Sequence, residues 1–308
     1  MAGSRLRSNK KYSSTEPQAS GEVPRIIYED PYVMVLDKPP GIVVDKSETQ
    51  SENTLEEWLG KRHSELVSES QIPKRVRDDT LERNGIVHRL DKDTSGLILV
   101  AKTKDALLNL QIQFKDRVVS KEYTTLVHGY ITESGKVEGA VGRNPGDREK
   151  FIVIEEAPLR QGFVGQGKEA VTEYEPMEKL QIPNVQRTAS GRAKFETIFS
   201  DFNKIQLRKL ERMKYNEFTL LKCKPLTGRT HQIRVHLKYI GHPVVSDEKY
   251  AGRKVYRLDH RWCPRQFLHA AKLGFNHPVS GEWLEFRCEL PEDLKQTLKW
   301  TTYSYNLQ

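Results

Sequence analysis

The chain has 308 residues, a formal net charge of +8 and three scattered cysteines. This length allows a real core in one large domain or two modest ones. The basic excess favours a polyanionic partner, because Lys and Arg strengthen binding to phosphate backbones. The cysteines exclude a disulfide framework and a zinc-finger site, and no apolar run reaches the roughly 18 residues of a membrane helix. A cytoplasmic protein is therefore expected.

Residues 1–24 are rich in Ser, Lys and Gly without an apolar period, which predicts a disordered basic tail. A short apolar run follows it at 26–28, then a turn at 29–31 and a predicted strand at 32–36. Lys38-Pro39-Pro40-Gly41 ends this strand, because neither proline can donate to a sheet ladder. A further strand is predicted at 42–44.

Asn53 and Glu56 have the spacing of a capping box, which predicts a helix from Thr54 to about Arg62. The polar segment 63–84 has no apolar period and is predicted to be an inserted surface segment.

The stretch Ile86–Val100 (IVHRLDKDTSGLILV) is the most unusual part of the chain. A dense polar cluster, His88–Ser95, lies between apolar residues, and Gly96 leads into an apolar run of strand length at 97–100. An unpaired charge beside a core lowers the stability of the folded state by roughly several kcal/mol. This cluster therefore needs either partners or a catalytic role.

The rest of the chain predicts more strands than helices. Thr103 can cap a helix at 105–114, a turn is expected at 142–146, and the basic segment 178–215 is predicted to be a second inserted surface segment. Further strands are predicted at 123–128, 151–154, 170–174, 218–223, 267–273 and 283–288, and further helices at 232–239 (capped by Thr230) and 291–300. Without a regular βαβ rhythm, this order favours an α+β fold with a mixed, largely antiparallel sheet.

Several chemistries fit the polar cluster poorly. His88-Arg89-Leu90-Asp91 departs from the kinase His-Arg-Asp loop, and no glycine-rich phosphate loop precedes it. Arg89 and Lys92 would repel a metal ion, and His231 and His236 lack metalloprotease spacing. No Gly-x-Ser-x-Gly elbow supports a serine nucleophile. What remains is a carboxylate held ionised by arginine, which could act as nucleophile or base, or a buried ion pair without catalytic function.

The residues closely resemble the RluA-type pseudouridine synthases. The motif HRLDKDTSG at 88–96 resembles their catalytic motif, and other blocks follow in that family's order, from about 26 to 290. These blocks are DKPPGIVV at 37–44, KEYTTLVHG at 121–129, GRNPGDREKF at 142–151, GKEAVTEY at 167–174, PLTGRTHQIRVHL at 225–237, GHPVVSDEKYAG at 241–252 and FLHAAKLGFNHPVSGEWLEF at 267–286. The resemblance implies one catalytic domain at 25–308, with helices and loops flanking the sheet and the cleft across it.

The resemblance also implies a mechanism without cofactor or metal. Asp91 would attack C1′ of a uridine or remove its C2′ proton; the two routes remain open. Arg89 would fill the gap left by the flipped base. Tyr123 would stack on the uracil. A second possible role for Tyr123 is to help remove the C5 proton. Arg229 would pair with Asp91 and keep it ionised.

The supporting residues have less specific roles. Ile233 would line the uracil pocket or belong to the core, and Lys121 would contact a phosphate, line the pocket or face solvent. His88, Thr94 and Ser95 would hold the loop together through local hydrogen bonds. Lys38 would lie at the pocket edge or in a solvated turn.

The expected function is therefore isomerisation of specific uridines in large-subunit ribosomal RNA or tRNA by a monomeric enzyme. Many relatives carry an N-terminal S4 RNA-binding domain, for which the segment before Pro24 is too short, so RNA contact is expected from the catalytic domain. A non-catalytic RNA-binding or ribosome-assembly protein with the same fold is the alternative. A glycosidase-like hydrolase is less favoured, because such enzymes normally use two carboxylates and Asp93 lies too near Asp91 in sequence.

Overall fold

The computed structural model describes residues 23–45, 54–68, 81–154, 167–183 and 197–303, with the side chains of α1 described up to Arg62. The predicted tail before Val23, the Asn53 half of the predicted capping box and most of the 63–84 segment lie outside these residues. No helix in the described parts is long and apolar enough to span a bilayer.

The described ranges contain eleven strands, six α-helices that lie within them in full and a 3-10 helix at Glu82–Gly85. The strands are β1 Arg25–Glu29, β2 Val33–Lys38, β3 Ser95–Ala101, β4 Ser120–His128, β5 Gly135–Asn144, β6 Asp147–Ile154, β7 Lys168–Gln181, β8 Glu217–Pro225, β9 Leu268–Asn276, β10 Trp283–Arg287 and β11 Thr302–Tyr303. The helices are α1 Leu55–Ser68, α2 Lys104–Lys115, α3 Lys204–Arg212, α4 Gln232–Tyr239, α5 Arg253–Asp259 and α6 Glu292–Lys299.

The strands form one sheet in the order β1-β2-β3-β9-β4-β8-β7-β5-β6, with β10 beside β9 and β11 beside β7. Every described pairing is antiparallel except β3 with β9, which is parallel. The expected α+β class with a mixed, largely antiparallel sheet is therefore confirmed.

The apolar run in β3 is buried on both faces of the sheet. Ile98 and Val100 pack with α1 and α4 on one face, and Leu97 and Leu99 pack with α2 on the other. Successive strand residues point to opposite faces, so a strand covered on both sides needs a continuous apolar run rather than an alternating one. This arrangement places the polar cluster at the N-terminal end of the most buried strand.

The segment 178–215 was predicted to be a surface insertion, but part of it is buried. Within 178–215, β7 continues to Gln181, and the side chains of Phe199, Leu210 and Tyr215 are buried in a core beside β8. The basic helix α3 is amphipathic, so its apolar side packs inward while its Lys and Arg face solvent. Residues 184–196 lie outside the described ranges.

Smaller predictions also differ from the structure. Val43 makes only an isolated bridge with Thr54, so 42–44 is not a strand. Residues 142–144 belong to β5, and the hairpin turn is confined to Pro145 and Gly146. Helix α5 and most of β5 were not predicted, because both are short and carry no apolar period that stands out.

Gly96 allows β3 and β9 to approach closely just after the polar cluster. Its φ is +112°, and a Cβ there would lie 2.3 Å from the Ala270 carbonyl oxygen. We expect Gly96→Ala to lower the free energy of unfolding by about 2–4 kcal/mol, because it adds a backbone clash to a strained φ. Urea unfolding measures the change.

Gly41 supplies the matched control for this substitution. It also has a positive φ, +84°, but a Cβ there would meet nothing within 4 Å. Gly41→Ala should therefore cost only the conformational strain, about 1 kcal/mol. Equal losses for the two variants would contradict the role of close strand approach at Gly96.

Candidate active site

The loop that carries Asp91 is tied to the scaffold on several sides. Leu90 is buried in the core, and the Thr94 amide donates to the Asp91 carbonyl oxygen at 3.1 Å. Thr94 Oγ1 accepts a hydrogen bond from Gln266 at 2.9 Å, and Ser95 Oγ lies 2.9 Å from His269 Nδ1. The hydroxyl groups of Thr94 and Ser95 thus bind partners distant in sequence, whereas local hydrogen bonds were expected.

Lys38 anchors the same loop by hydrogen bonds to backbone carbonyl groups. Its side chain is fully buried, and Nζ donates to the carbonyl oxygens of Pro39 at 2.8 Å, Ile42 at 2.9 Å and Lys92 at 3.0 Å. Burial lowers the pKa of Lys38 to about 7, yet only the protonated ammonium can donate three hydrogen bonds. Lys38 is therefore a structural clamp, neither at the pocket edge nor in a solvated turn.

Replacing this clamp should weaken both the fold and the site. Lys38→Met keeps the length of the side chain but leaves three carbonyl oxygens without their donor, so we expect about 2–4 kcal/mol less stability by urea unfolding. Turnover should fall as well, because Lys92 follows Asp91 directly. The matched control is Lys92→Met, an exposed side chain whose backbone carbonyl stays in place; its stability should change by less than about 0.5 kcal/mol. Equal stability of Lys38→Met and wild type would refute the clamp.

Asp91 is joined to a buried chain of charges. Its Oδ2 accepts a hydrogen bond from Arg234 Nη1 at 2.8 Å. Arg234 also binds Asp247 through two hydrogen bonds, from Nε at 2.7 Å and from Nη2 at 2.8 Å. The guanidinium lies over the Tyr250 ring, 5.1 Å from its centre. Arg234 thus stands fixed between two carboxylates, one fully buried and one facing the cavity.

This pairing controls the charge of Asp91. Burial alone would raise the pKa of its carboxyl group, but the nearby Arg234, His231 and Arg89 outweigh burial and hold the pKa below its ordinary value. Asp91 is therefore an ionised carboxylate at neutral pH, as a nucleophile or base requires.

The prediction that Arg229 pairs with Asp91 was wrong. Arg229 lies in the turn before α4, where its Nε donates to the Glu169 carbonyl oxygen at 3.0 Å and its backbone amide to Gln232 at 2.9 Å. Arg234 is one turn into α4 and faces inward, so the helix carries it to Asp91. The helix begins at His231, which has a left-handed φ of 55° and no side-chain cap, rather than at a Thr230 cap.

A cavity of about 550 Å³ opens in front of Asp91. All eight predicted site residues line it: His88, Arg89, Asp91, Thr94, Lys121, Tyr123, Arg229 and Ile233. Seven of the lining side chains are Lys or Arg: Arg83, Arg89, Lys115, Arg117, Lys121, Arg229 and Arg234. Among the described lining residues, Asp91 is the one carboxylate. The described lining residues therefore include no second carboxylate, which a two-carboxylate hydrolase mechanism would need.

Tyr123 and Ile233 form apolar surface beside Asp91. Both are buried in the same core cluster, and both still reach the cavity. Burial and the neighbouring Asp91 raise the pKa of Tyr123 above its ordinary value. Its phenol is therefore neutral, which suits stacking on a base better than proton abstraction.

His88, Phe114 and Lys121 form a stacked group on another part of the wall. The rings of His88 and Phe114 are stacked with centres 4.9 Å apart, and Lys121 Nζ lies 5.7 Å from the Phe114 centre. His88 Nε2 accepts a hydrogen bond from the Leu99 amide at 2.9 Å. Burial and the Lys121 charge lower the pKa of His88 to about 3, so its imidazole is neutral and free to accept this hydrogen bond.

The arginines at the mouth of the cavity are held by carboxylates outside it. Arg83 and Arg89 both pair with Asp45, Arg89 at 3.3 Å. Arg89 is more than half exposed and belongs to no described core cluster, so this partly exposed ion pair holds it only weakly.

Asp45, Asp247 and Tyr250 were not predicted as part of this site. Asp247 and Tyr250 fall in a block that carried the family resemblance, but no local pattern marks them as partners of Arg234. Asp45 stands next to an apolar run with no distinguishing spacing.

Comparisons with known proteins agree with this geometry. Residues 32–239 match the family model described as RNA pseudouridylate synthase. The chain is 34% identical over 275 residues to an uncharacterized RNA pseudouridine synthase of Bacillus subtilis, covering 89% of this chain and 71% of that protein. It is 32% identical over 288 residues to the ribosomal large subunit pseudouridine synthase D of Zymomonas mobilis, covering 92% and 74%.

A solved structure supports the same assignment. Human RNA Pseudouridylate Synthase Domain Containing 1 superposes with a TM-score of 0.61 at 25% identity, covering 96% of this chain and 94% of that one. Its similarity extends over nearly the whole fold, including the sheet that positions Asp91. The chain therefore belongs to the RNA pseudouridylate synthase family and is an isomerase that acts on RNA.

Proposed function

We propose that this protein converts specific uridines of large-subunit ribosomal RNA to pseudouridine with Asp91 as its single catalytic carboxylate. The observation that carries the proposal is one ionised aspartate in a cavity whose other described charged lining residues are Lys and Arg, among apolar and neutral polar side chains. Such a cavity suits a polyanionic substrate and a reaction that needs a single carboxylate. Relatives named ribosomal large subunit pseudouridine synthase D, at 32% and 35% identity, favour ribosomal RNA over tRNA.

The chemistry conserves every atom of the nucleotide. The N1–C1′ bond breaks, and N1 of the departing uracil keeps the electron pair. The base turns, C5 bonds to C1′, and the proton on C5 is lost while N1 gains one. Asp91 starts this sequence by attacking C1′, in a bond that breaks when C5 bonds to C1′, or by removing the C2′ proton, which returns to C2′ as C5 bonds to C1′. Both routes require an ionised carboxylate.

The neighbouring residues take supporting roles in the proposal. A uridine must leave its stack to reach Asp91, and Arg89, released from Asp45, fills the gap it leaves. Tyr123 stacks on the uracil and Ile233 packs against its edge. Arg229 contacts the RNA at the mouth of the cavity rather than orienting Asp91. Action as a monomer, in the cytoplasm and without metal or cofactor stays part of the prediction.

Mapping pseudouridine across ribosomal RNA and tRNA, with and without this gene, tests the proposal. Loss of one or a few sites in large-subunit RNA, restored by the wild-type gene but not by an Asp91→Asn copy, is the expected result. Loss of sites only in tRNA would correct the substrate. Unchanged pseudouridine in every RNA would favour a non-catalytic RNA-binding protein instead.

A further inference from the structure

Most cations of the cavity wall already have an anionic or carbonyl partner. Arg83 and Arg89 share Asp45, and Arg234 lies between Asp91 and Asp247. On the opposite side of the mouth, the Glu169 carboxylate pairs with Arg117 at 3.5 Å, and its carbonyl accepts from Arg229. Within the described part of the chain, this leaves Lys115 and Lys121 without such a partner.

These two lysines differ in their surroundings. Lys115 is exposed at the end of α2, where water satisfies its ammonium. Lys121 is partly buried: its Nζ lies 5.7 Å from the centre of the Phe114 ring, and a Cβ on Gly228 would be 3.9 Å away. The side chain therefore reaches from β4 towards the turn that follows the neighbouring strand β8. An ammonium group has three donors, and an aromatic face compensates only part of the lost hydration.

The electrostatics agree with this geometry. Burial lowers the pKa of Lys121 to about 8, and no neighbouring carboxylate in the described ranges offsets the effect. The ammonium remains the main form at neutral pH. A negatively charged group of the substrate would supply the missing partner.

The position of Lys121 indicates which substrate group this is. Lys121 and Tyr123 are two residues apart on β4 and both line the cavity, so their Cα atoms lie roughly 6.6 Å apart. That spacing suits a nucleotide whose base stacks on Tyr123 and whose phosphate reaches Lys121. Lys115 and Arg117 continue the same wall to the surface, where the neighbouring phosphates of an RNA strand would pass.

We propose that Lys121 is the phosphate anchor of the cavity, donating to a non-bridging oxygen of the phosphodiester next to the uridine that enters it. The anchor rests on the proposed function only in taking a uridine as the occupant. Its binding test does not depend on turnover. The anchor fixes the sugar–phosphate at a set distance from Asp91, while the base remains free to turn during the reaction.

Binding of a single-stranded uridine decamer by the full chain, measured against salt concentration, tests the anchor. Lys121→Met should weaken binding about tenfold and reduce the slope of log K against log salt by about 0.7, the value for one lost phosphate contact on a single strand. Lys121→Arg should keep most of the affinity and the slope. Lys104→Met removes an exposed lysine at the other end of α2, outside the cavity, and should change neither. Thermal melting of each variant checks that it is folded.

Decamers with one neutral methylphosphonate at each position in turn locate the contact. At one position wild type should lose about tenfold in affinity while Lys121→Met loses nothing more. An unchanged salt slope, or equal losses for both proteins at every position, would overturn the anchor. Normal binding with reduced turnover in Lys121→Met would assign Lys121 to the uracil and overturn it too. If wild type makes no pseudouridine but these binding results hold, the proposed function fails while the anchor stands.

Discussion

Asp91→Asn should abolish pseudouridine formation, lowering turnover by about 10⁴-fold or more, while RNA binding stays within about twofold of wild type. Asparagine has nearly the same shape and can still accept the hydrogen bond from Arg234 Nη1. It lacks the negative charge that either attack on C1′ or removal of the C2′ proton requires. Turnover is measured as pseudouridine formed in an unmodified large-subunit RNA transcript, and affinity by filter binding of the same transcript.

Asp93→Asn is the matched control for this change. Asp93 is two residues away in the same loop, but it is exposed and does not line the cavity. Its link to the scaffold is a backbone one, since its carbonyl oxygen accepts from Arg265 at 2.8 Å, and the substitution leaves this intact. Turnover should stay within about twofold of wild type. Activity retained by Asp91→Asn would refute the single-carboxylate mechanism.

Arg234→Met should lower the free energy of unfolding by about 3–5 kcal/mol, because it leaves the fully buried Asp247 charge without its partner. The matched control for stability is Arg229→Met. Arg229 is half-buried and its side chain donates only to a backbone carbonyl, so its loss should cost less than about 1 kcal/mol. Urea unfolding measures both. Equal losses would show that Arg234 does not carry the buried charge pair.

The same pair of arginines predicts different pH profiles. In the folded protein the pKa of Asp91 lies below its unfolded value, so its ion pair stabilises the fold above the unfolded pKa. That stability is lost as pH falls through the folded pKa. Arg234→Lys keeps a charge but not the forked geometry, so the pKa of Asp91 should rise and the acid limb of kcat/KM should move to higher pH.

Arg229→Met should leave this acid limb where it is in wild type, whatever its effect on KM, since Arg229 makes no described contact with Asp91. His231 and Arg89 also face Asp91; burial lowers the pKa of His231 to about 4, so its imidazole is neutral above that pH and carries a charge only in the most acidic part of the profile. A shift in Arg229→Met with none in Arg234→Lys would reverse the assignment.

The amino-acid sequence by itself determined the strands and helices that depend on local interactions. The apolar run after Gly96 could only be a buried strand, and Thr103 caps α2 through the hydrogen bond from the Ala106 amide, as its spacing predicts. The helix at 232–239 has the predicted bounds. The dense polar cluster beside a core indicated either pairing or function, the family resemblance assigned the catalytic role to Asp91, and the structure places Asp91 at the cavity.

The tertiary structure alone decided how these residues are partnered. Asp91 and Arg234 are 143 positions apart, and Arg229 of the same short motif was the expected partner, whereas helix α4 turns Arg234 inward to Asp91. Lys38 was expected at the pocket edge or in a solvated turn. It is instead fully buried, because carbonyl groups from two separate segments converge on it. Hydrogen bonds and ion pairs of this kind depend on distances between segments. Local periodicity and spacing do not contain those distances, so only the folded arrangement of strands and helices sets them.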